Sequence, residues 1–209
     1  MTFEAILFDW DNTLVSSQGL IEKALNLTFK SFDKPIMTAQ EIQKTSYLST
    51  KDSFALWFLD KKEEAVNFFY EQITSQHLDY IRLELGAFEL LQSLYKHNIA
   101  CALISNKRPD LLKKEVDFLQ LSPFFKVVLG SGEAQKDKPE PDPLLKALRL
   151  MGQEPSSKIL MVGDTPADWI AAKKAGCSAV SVSKYDFEEH RELLKFSSCN
   201  DLLTFFALK

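Results

Sequence analysis

Five short apolar runs limit what this chain can fold into: Ala5–Phe8, Ile99–Ile104, Val127–Leu129, Ile159–Val162 and Ala179–Val182. Each is shorter than a typical helix and, Ser181 apart, offers water no polar side chain. Each therefore reads as a strand covered on both faces. Helical periodicity fills the later gaps, at Asp110–Leu119, Pro143–Met151 and Pro166–Ala175, the last closed by Gly176. Strands alternating with helices imply an α/β fold, doubly wound around a parallel sheet in the Rossmann-like manner. At 209 residues and 45% hydrophobic, the chain is long and apolar enough to bury such a core.

Residues 16–85 break the rhythm, because their pattern is helical throughout. It runs through Leu20–Phe32, a segment opened by the capping box Thr38-Ala39-Gln40-Glu41, a third opened by Ser49-Thr50-Lys51-Asp52, and Lys61–Tyr80, with Pro35 dividing the first two. A helical block between the first and second strands is expected to lie over the carboxyl edge of the sheet, where ligands bind in such folds. The expected division is an α/β core, residues 1–15 and 86–209, and a small all-helical cap, residues 16–85.

Charge narrows the partners. The formal net charge is −4, and no Lys/Arg run stands free of interleaved acids, so neither nucleic acid nor an anionic membrane is an expected partner. No run of 18 apolar residues occurs, and the opening MTFEAILFDW enters a strand pattern without a basic leader, so a cytoplasmic location is expected. Cys101, Cys177 and Cys199 have no zinc or disulfide spacing and read as reduced, buried thiols.

The reactive residue types stand at the ends of the apolar runs. After the first come Asp9-Trp10-Asp11-Asn12-Thr13-Leu14. Two carboxylates this close repel unless a cation or proton lies between them, and Mg²⁺ prefers such oxygen ligands. One carboxylate would be left to attack phosphorus, while the other protonates the leaving oxygen and later activates water. The same residues also suit a solvated turn. After the second run, Ser105-Asn106-Lys107-Arg108-Pro109 could cradle a phosphate at a helix start, or cap that helix. In Lys136-Asp137-Lys138-Pro139-Glu140-Pro141-Asp142-Pro143, Lys138, in preference to Lys136, would neutralise a transferring phosphoryl group, and Asp142 reads as an N-cap before Pro143. In Gly163-Asp164-Thr165-Pro166-Ala167-Asp168, Asp164 would complete the magnesium site with the Asp9 side chain and the Asp11 carbonyl. Asp168 would cap its helix, tune the metal from outside the ligand shell, or do both.

In this order the four sets resemble the haloacid dehalogenase-like hydrolase superfamily, specifically its phosphatases with a helical cap after the first motif. DWDNTL, ISN, KPEPDP and GDTPAD match the four motifs, and the likeness covers residues 4–14 and about 86–182. SNKRPDLL, KDKPEPDP and VGDTPADWIAAKKAGC look most like the phosphoglycolate phosphatase-like branch. The resemblance implies Asp9 as nucleophile and Asp11 as general acid/base. It further implies Ser105, Asn106 and Lys138 on the phosphate, Asp9, Asp11 and Asp164 on Mg²⁺, and Thr13 bracing the first loop by a hydrogen bond. Three positions depart from the pattern. Asn12 replaces a usual glycine, which is tolerable because Asn accepts left-handed geometry. Ser16 stands where an acid is common, and Leu85-Gly86 where Pro-Gly is.

The expected partner is a small phosphorylated metabolite, with the protein a monomer or homodimer. A sugar phosphomutase of the same fold is the enzyme alternative. A phospho-accepting receiver-like signalling domain is the alternative from another class, though receivers lack so large a helical insertion. Asp11 argues against a dehalogenase, which needs no second acid for a phosphoryl leaving group. His77, His97 and His190 are not expected to be catalytic. The aromatic stripe Phe54, Trp57, Phe58, Phe68, Phe69 and Tyr70 reads first as packing, with some members available to line a pocket. Lys44, Lys51 and Arg82 read first as solvated, with contact to a distal anionic group of a substrate as the alternative.

Overall fold

The computed structural model describes residues 3–38, 41–42, 48–182 and 193–206. All five apolar runs are strands: β1 Ala5–Phe8, β4 Ala100–Ile104, β5 Val127–Leu129, β6 Ile159–Gly163 and β7 Ser178–Val182. A short strand not anticipated from the sequence, β8 Lys195–Phe196, extends the sheet to the order β5-β4-β1-β6-β7-β8, and every neighbouring pair is parallel. β1 lies at the centre, with Ala5 paired to Ala100 on one side and to Ile159 on the other.

The helices, in chain order, are α1 Gln18–Ser31, α2 Thr50–Phe58, α3 Lys62–Thr74, α4 His77–Tyr80, α5 Ala87–Lys96, α6 Pro109–Phe118, α7 Asp142–Met151, α8 Pro166–Ala175 and α9 Cys199–Phe206. Strand alternation sends Ile6 and Phe8 to one face, where Leu90 and Leu94 of α5, Leu112 and Val116 of α6 and Leu202 of α9 close over them. Ala5 and Leu7 go to the other, against Leu144 and Leu148 of α7 and Ala171 and Ala172 of α8. The sheet is thus covered on both sides, as its uninterrupted apolar strands require.

Residues of α1, α2 and α3 form a separate apolar cluster, centred on Leu20, Phe29, Phe54, Phe58, Phe69 and Ile73, that meets the sheet layers through Leu111 of α6. Both expected caps are present: Thr38 Oγ1 accepts from Glu41 N at 3.3 Å while Glu41 Oε2 accepts from Thr38 N at 2.8 Å, and Ser49 Oγ accepts from Asp52 N at 3.2 Å. Where the chain leaves and rejoins the sheet edge, β2 Val15–Ser16 pairs antiparallel with β3 Arg82–Leu83. Gly86 just beyond has φ 80°, and a Cβ there would lie 2.5 Å from Asn200 N, so only glycine fits the return.

Two local expectations need correction. The Lys61–Tyr80 pattern is two helices, because Ser75 Oγ turns back to Gln72 O at 3.0 Å and Gln76 departs to φ −133°. Asp142 is not an N-cap: it is the first residue of α7, with Pro141 in the cap position and no side-chain cap bond.

Candidate active site

Parallel strands all point their carboxyl ends the same way, so the residues following β1, β4 and β6 meet at one edge. Lys138 reaches the same place from the loop between β5 and α7. It is 3% exposed, and its Nζ donates to Asp9 Oδ1 and Asp168 Oδ1, each at 2.6 Å, and to Ile104 O at 2.8 Å. Burial alone would lower the lysine's pKa, but Asp168 and Asp9 outweigh it and raise it, so Lys138 stays an ammonium.

Asp168 has two tasks. One oxygen holds Lys138, while Oδ2 accepts from Thr165 N at 3.1 Å and Thr165 Oγ1 at 3.0 Å, starting α8. Gly163 permits this: a Cβ there would stand 2.3 Å from the Asp168 carboxyl.

Carboxylate oxygens of Asp9, Asp164 and Asp168 lie within 4.8 Å of one another. Burial pushes the Asp9 carboxyl up to about 7 against the pull of Lys138, and burial followed by Asp9 pushes Asp164 well above the usual carboxylate range. Three buried acids thus share one ammonium, an imbalance a hard divalent cation would relieve, and oxygen-only donors suit Mg²⁺. Since Asp168 has both oxygens committed, Asp9 and Asp164 are the side chains a cation would sit between.

Asp11 is held apart from that cluster. Its Oδ1 accepts from Ser17 Oγ and from Lys107 Nζ, the latter at 2.9 Å. Lys107 Nζ also meets Glu115 Oε2 at 2.8 Å, and that oxygen accepts from Trp10 Nε1 at 2.7 Å. The other oxygen, Glu115 Oε1, lies 2.9 Å from His77 Nδ1. Burial would lower Lys107, yet Asp11 and Glu115 outweigh it and raise its pKa. Sequence reasoning missed this chain of contacts. The available signal was Glu115 itself, an acid at an apolar-face position of α6 beside Leu111, Leu112 and Val116.

The other expected residues are placed as follows. Ser105 is buried, with Oγ accepting from Lys107 N at 3.2 Å. Asn106 clasps the lysine loop, giving Nδ2 to Lys138 O at 2.8 Å and taking Lys138 N at 3.1 Å. Thr13 is fully buried, but its Oγ1 has no partner among the described residues, so the bracing hydrogen bond is absent. Asn12 has φ 59°, the left-handed geometry anticipated for it. Lys51, Lys136, Arg82 and His97 are exposed, and Lys44 and His190 lie outside the described residues. A cavity of about 250 Å³ opens above Asp9, Asp164, Ser105 and Lys138, roofed by side chains of α1, α2 and α3.

The reactive side chains thus gather at the carboxyl edge of a parallel α/β sheet. A model of the haloacid dehalogenase-like hydrolase family matches residues 6–182, and the chain belongs to that family. It is 34% identical over 172 residues to the phosphoglycolate phosphatase of Aquifex aeolicus, covering 82% of this chain and 80% of that one. It is 28% identical over 184 residues to the pyrophosphatase PpaX of Bacillus mycoides, covering 88% and 85%. The crystal structure of a HAD-superfamily hydrolase from Ehrlichia chaffeensis superposes with a TM-score of 0.71 at 27% identity, over 99% of this chain and 98% of that one.

Proposed function

We propose that the protein is a Mg²⁺-dependent phosphatase that hydrolyses a small phosphate monoester through an aspartyl-phosphate. The observation carrying this is the buried Asp9 carboxylate, fixed by Lys138 beside Asp164 at the floor of a cavity. Asp9 attacks phosphorus, and the bond from phosphorus to the alcohol oxygen breaks as Asp11 donates a proton to that oxygen. A water then loses its proton to Asp11 and attacks the phosphoryl group, and the Asp9–phosphorus bond breaks to release inorganic phosphate. Lys138 neutralises the transferring phosphoryl group, and Ser105 offers it a hydroxyl. Asn106 acts through the Lys138 loop it clasps. Mg²⁺, held by Asp9, Asp164 and the Asp11 carbonyl, would neutralise the remaining negative charge.

In this reading residues 16–85 are the cap, which excludes water from the reaction and sorts substrates. The expected readout is phosphate release from acetyl phosphate with Mg²⁺, stopped by EDTA and lowered at least about a hundredfold in Asp9→Asn and in Asp11→Asn. Near-normal turnover in either variant would remove these roles. Phosphate transfer between two positions of a sugar phosphate, without release, would instead support the mutase.

A further inference from the structure

The cap side of the cavity differs sharply from its floor. Ile21, Leu25, Phe54, Trp57, Phe69 and Tyr70 supply the roof, with Thr50 and Ser53 as hydroxyl groups. The one charged side chain that the described cap residues bring to the lining is an acid, Glu22. The two ammonium groups on the lining belong to the floor, and both are engaged: Lys138 by Asp9 and Asp168, Lys107 by Asp11 and Glu115.

We infer that the site prefers phosphate monoesters whose alcohol is uncharged and carries a ring over those whose alcohol carries a second anion. This rests on the phosphatase reading above and names its substrate class. With phosphorus at Asp9, the alcohol points into the roof. A distal carboxylate or phosphate there would lose its water against aromatic carbon and meet no cation among the described residues of α1, α2 and α3 that line the cavity. A buried charge without a partner is strongly disfavoured. A ring keeps its contacts instead. Trp57 and Phe54 are already tilted against each other at 5.7 Å between centroids, and a third ring can join such a cluster edge-on or offset. Size agrees, since an apolar cavity of roughly 150 Å³ takes a benzene ring and this one is about 250 Å³.

Benzyl phosphate and 2-phosphoglycolate, both esters of primary alcohols, separate the two classes. With the full chain and Mg²⁺, kcat/KM for benzyl phosphate is expected to exceed that for 2-phosphoglycolate and for pyrophosphate by at least about tenfold. Equal or higher values for either competitor would overturn the inference. Glu22→Lys is expected to narrow the gap by raising turnover of 2-phosphoglycolate, and Trp57→Ala by lowering that of benzyl phosphate. Acetyl phosphate separates the two levels of failure, because silence there counts against the phosphatase reading itself. Calorimetry with the unreactive benzylphosphonate and phosphonoacetate then decides the cavity's preference without turnover. Benzylphosphonate should bind at least about tenfold more tightly, and equal or reversed affinities would refute the preference.

Discussion

Asp9 shows how burial turns an ordinary carboxyl into a conditional one. Its pKa moves from 3.8 to about 7, so without metal the folded chain keeps a proton there that the unfolded chain has released. That proton favours folding at low pH, and the contribution is lost as pH rises from about 4 through 7. Mg²⁺ competes with the proton, so its stabilisation should grow with pH: the magnesium-induced rise in Tm is expected to be larger at pH 8 than at pH 5.5. A shift independent of pH would show that Asp9 is not a ligand. Thr13 gives the opposite lesson. A buried hydroxyl without a partner costs about 1–3 kcal/mol, so Thr13→Val is expected to melt at or above the wild-type temperature. A marked fall in Tm would mean that the hydroxyl finds a partner the described residues do not show.

Among elements, the contact to probe joins α6 to α4. Glu115 accepts from Trp10, Lys107 and His77 together, tying the loop after β1 to the end of the helical block. Glu115→Ala would strand the Trp10 indole N–H and the His77 ring nitrogen and leave Lys107 with Asp11 alone, and should cost about 3–5 kcal/mol in urea denaturation, whereas Glu115→Gln keeps an acceptor and should cost less. Equal costs would mean the carboxylate charge carries the whole effect. Legibility at this scale follows how local the signal is. The capping residues Thr38 and Ser49 and the Gly176 terminus could be read because each bond closes within a few residues. The break at Ser75-Gln76 could not, since the apolar pattern runs across it. β8 was missed because two residues carry no periodicity, and its partners lie in β7.

For the whole molecule, burial governs what is reactive. Cys101 and Cys199 are buried deeply enough to push both thiols up to about 12, and the Cys177 thiol is raised as well by its partial burial. Alkylation of the native protein at pH 7.5 should therefore be slow at all three and become fast in denaturant; rapid labelling of Cys101 or Cys199 in the native state would contradict the packing. Among the described residues, no helix is long and apolar enough to cross a membrane.

Strand-length apolar runs, and the acids, hydroxyl and lysine that follow them, were legible in the sequence because periodicity and chain order are local. Once parallel pairing is assumed, they must meet at one edge. Which partner each side chain takes was decided only by tertiary structure. Lys138 reaches Asp9 across 129 positions and Lys107 reaches Asp11 across 96, while Thr13 Oγ1 has no partner among the described residues and α1, α2 and α3 turn carbon, hydroxyls and one acid toward the cavity. Such pairings depend on distances between elements far apart in the chain, and no stretch of neighbouring residues encodes them.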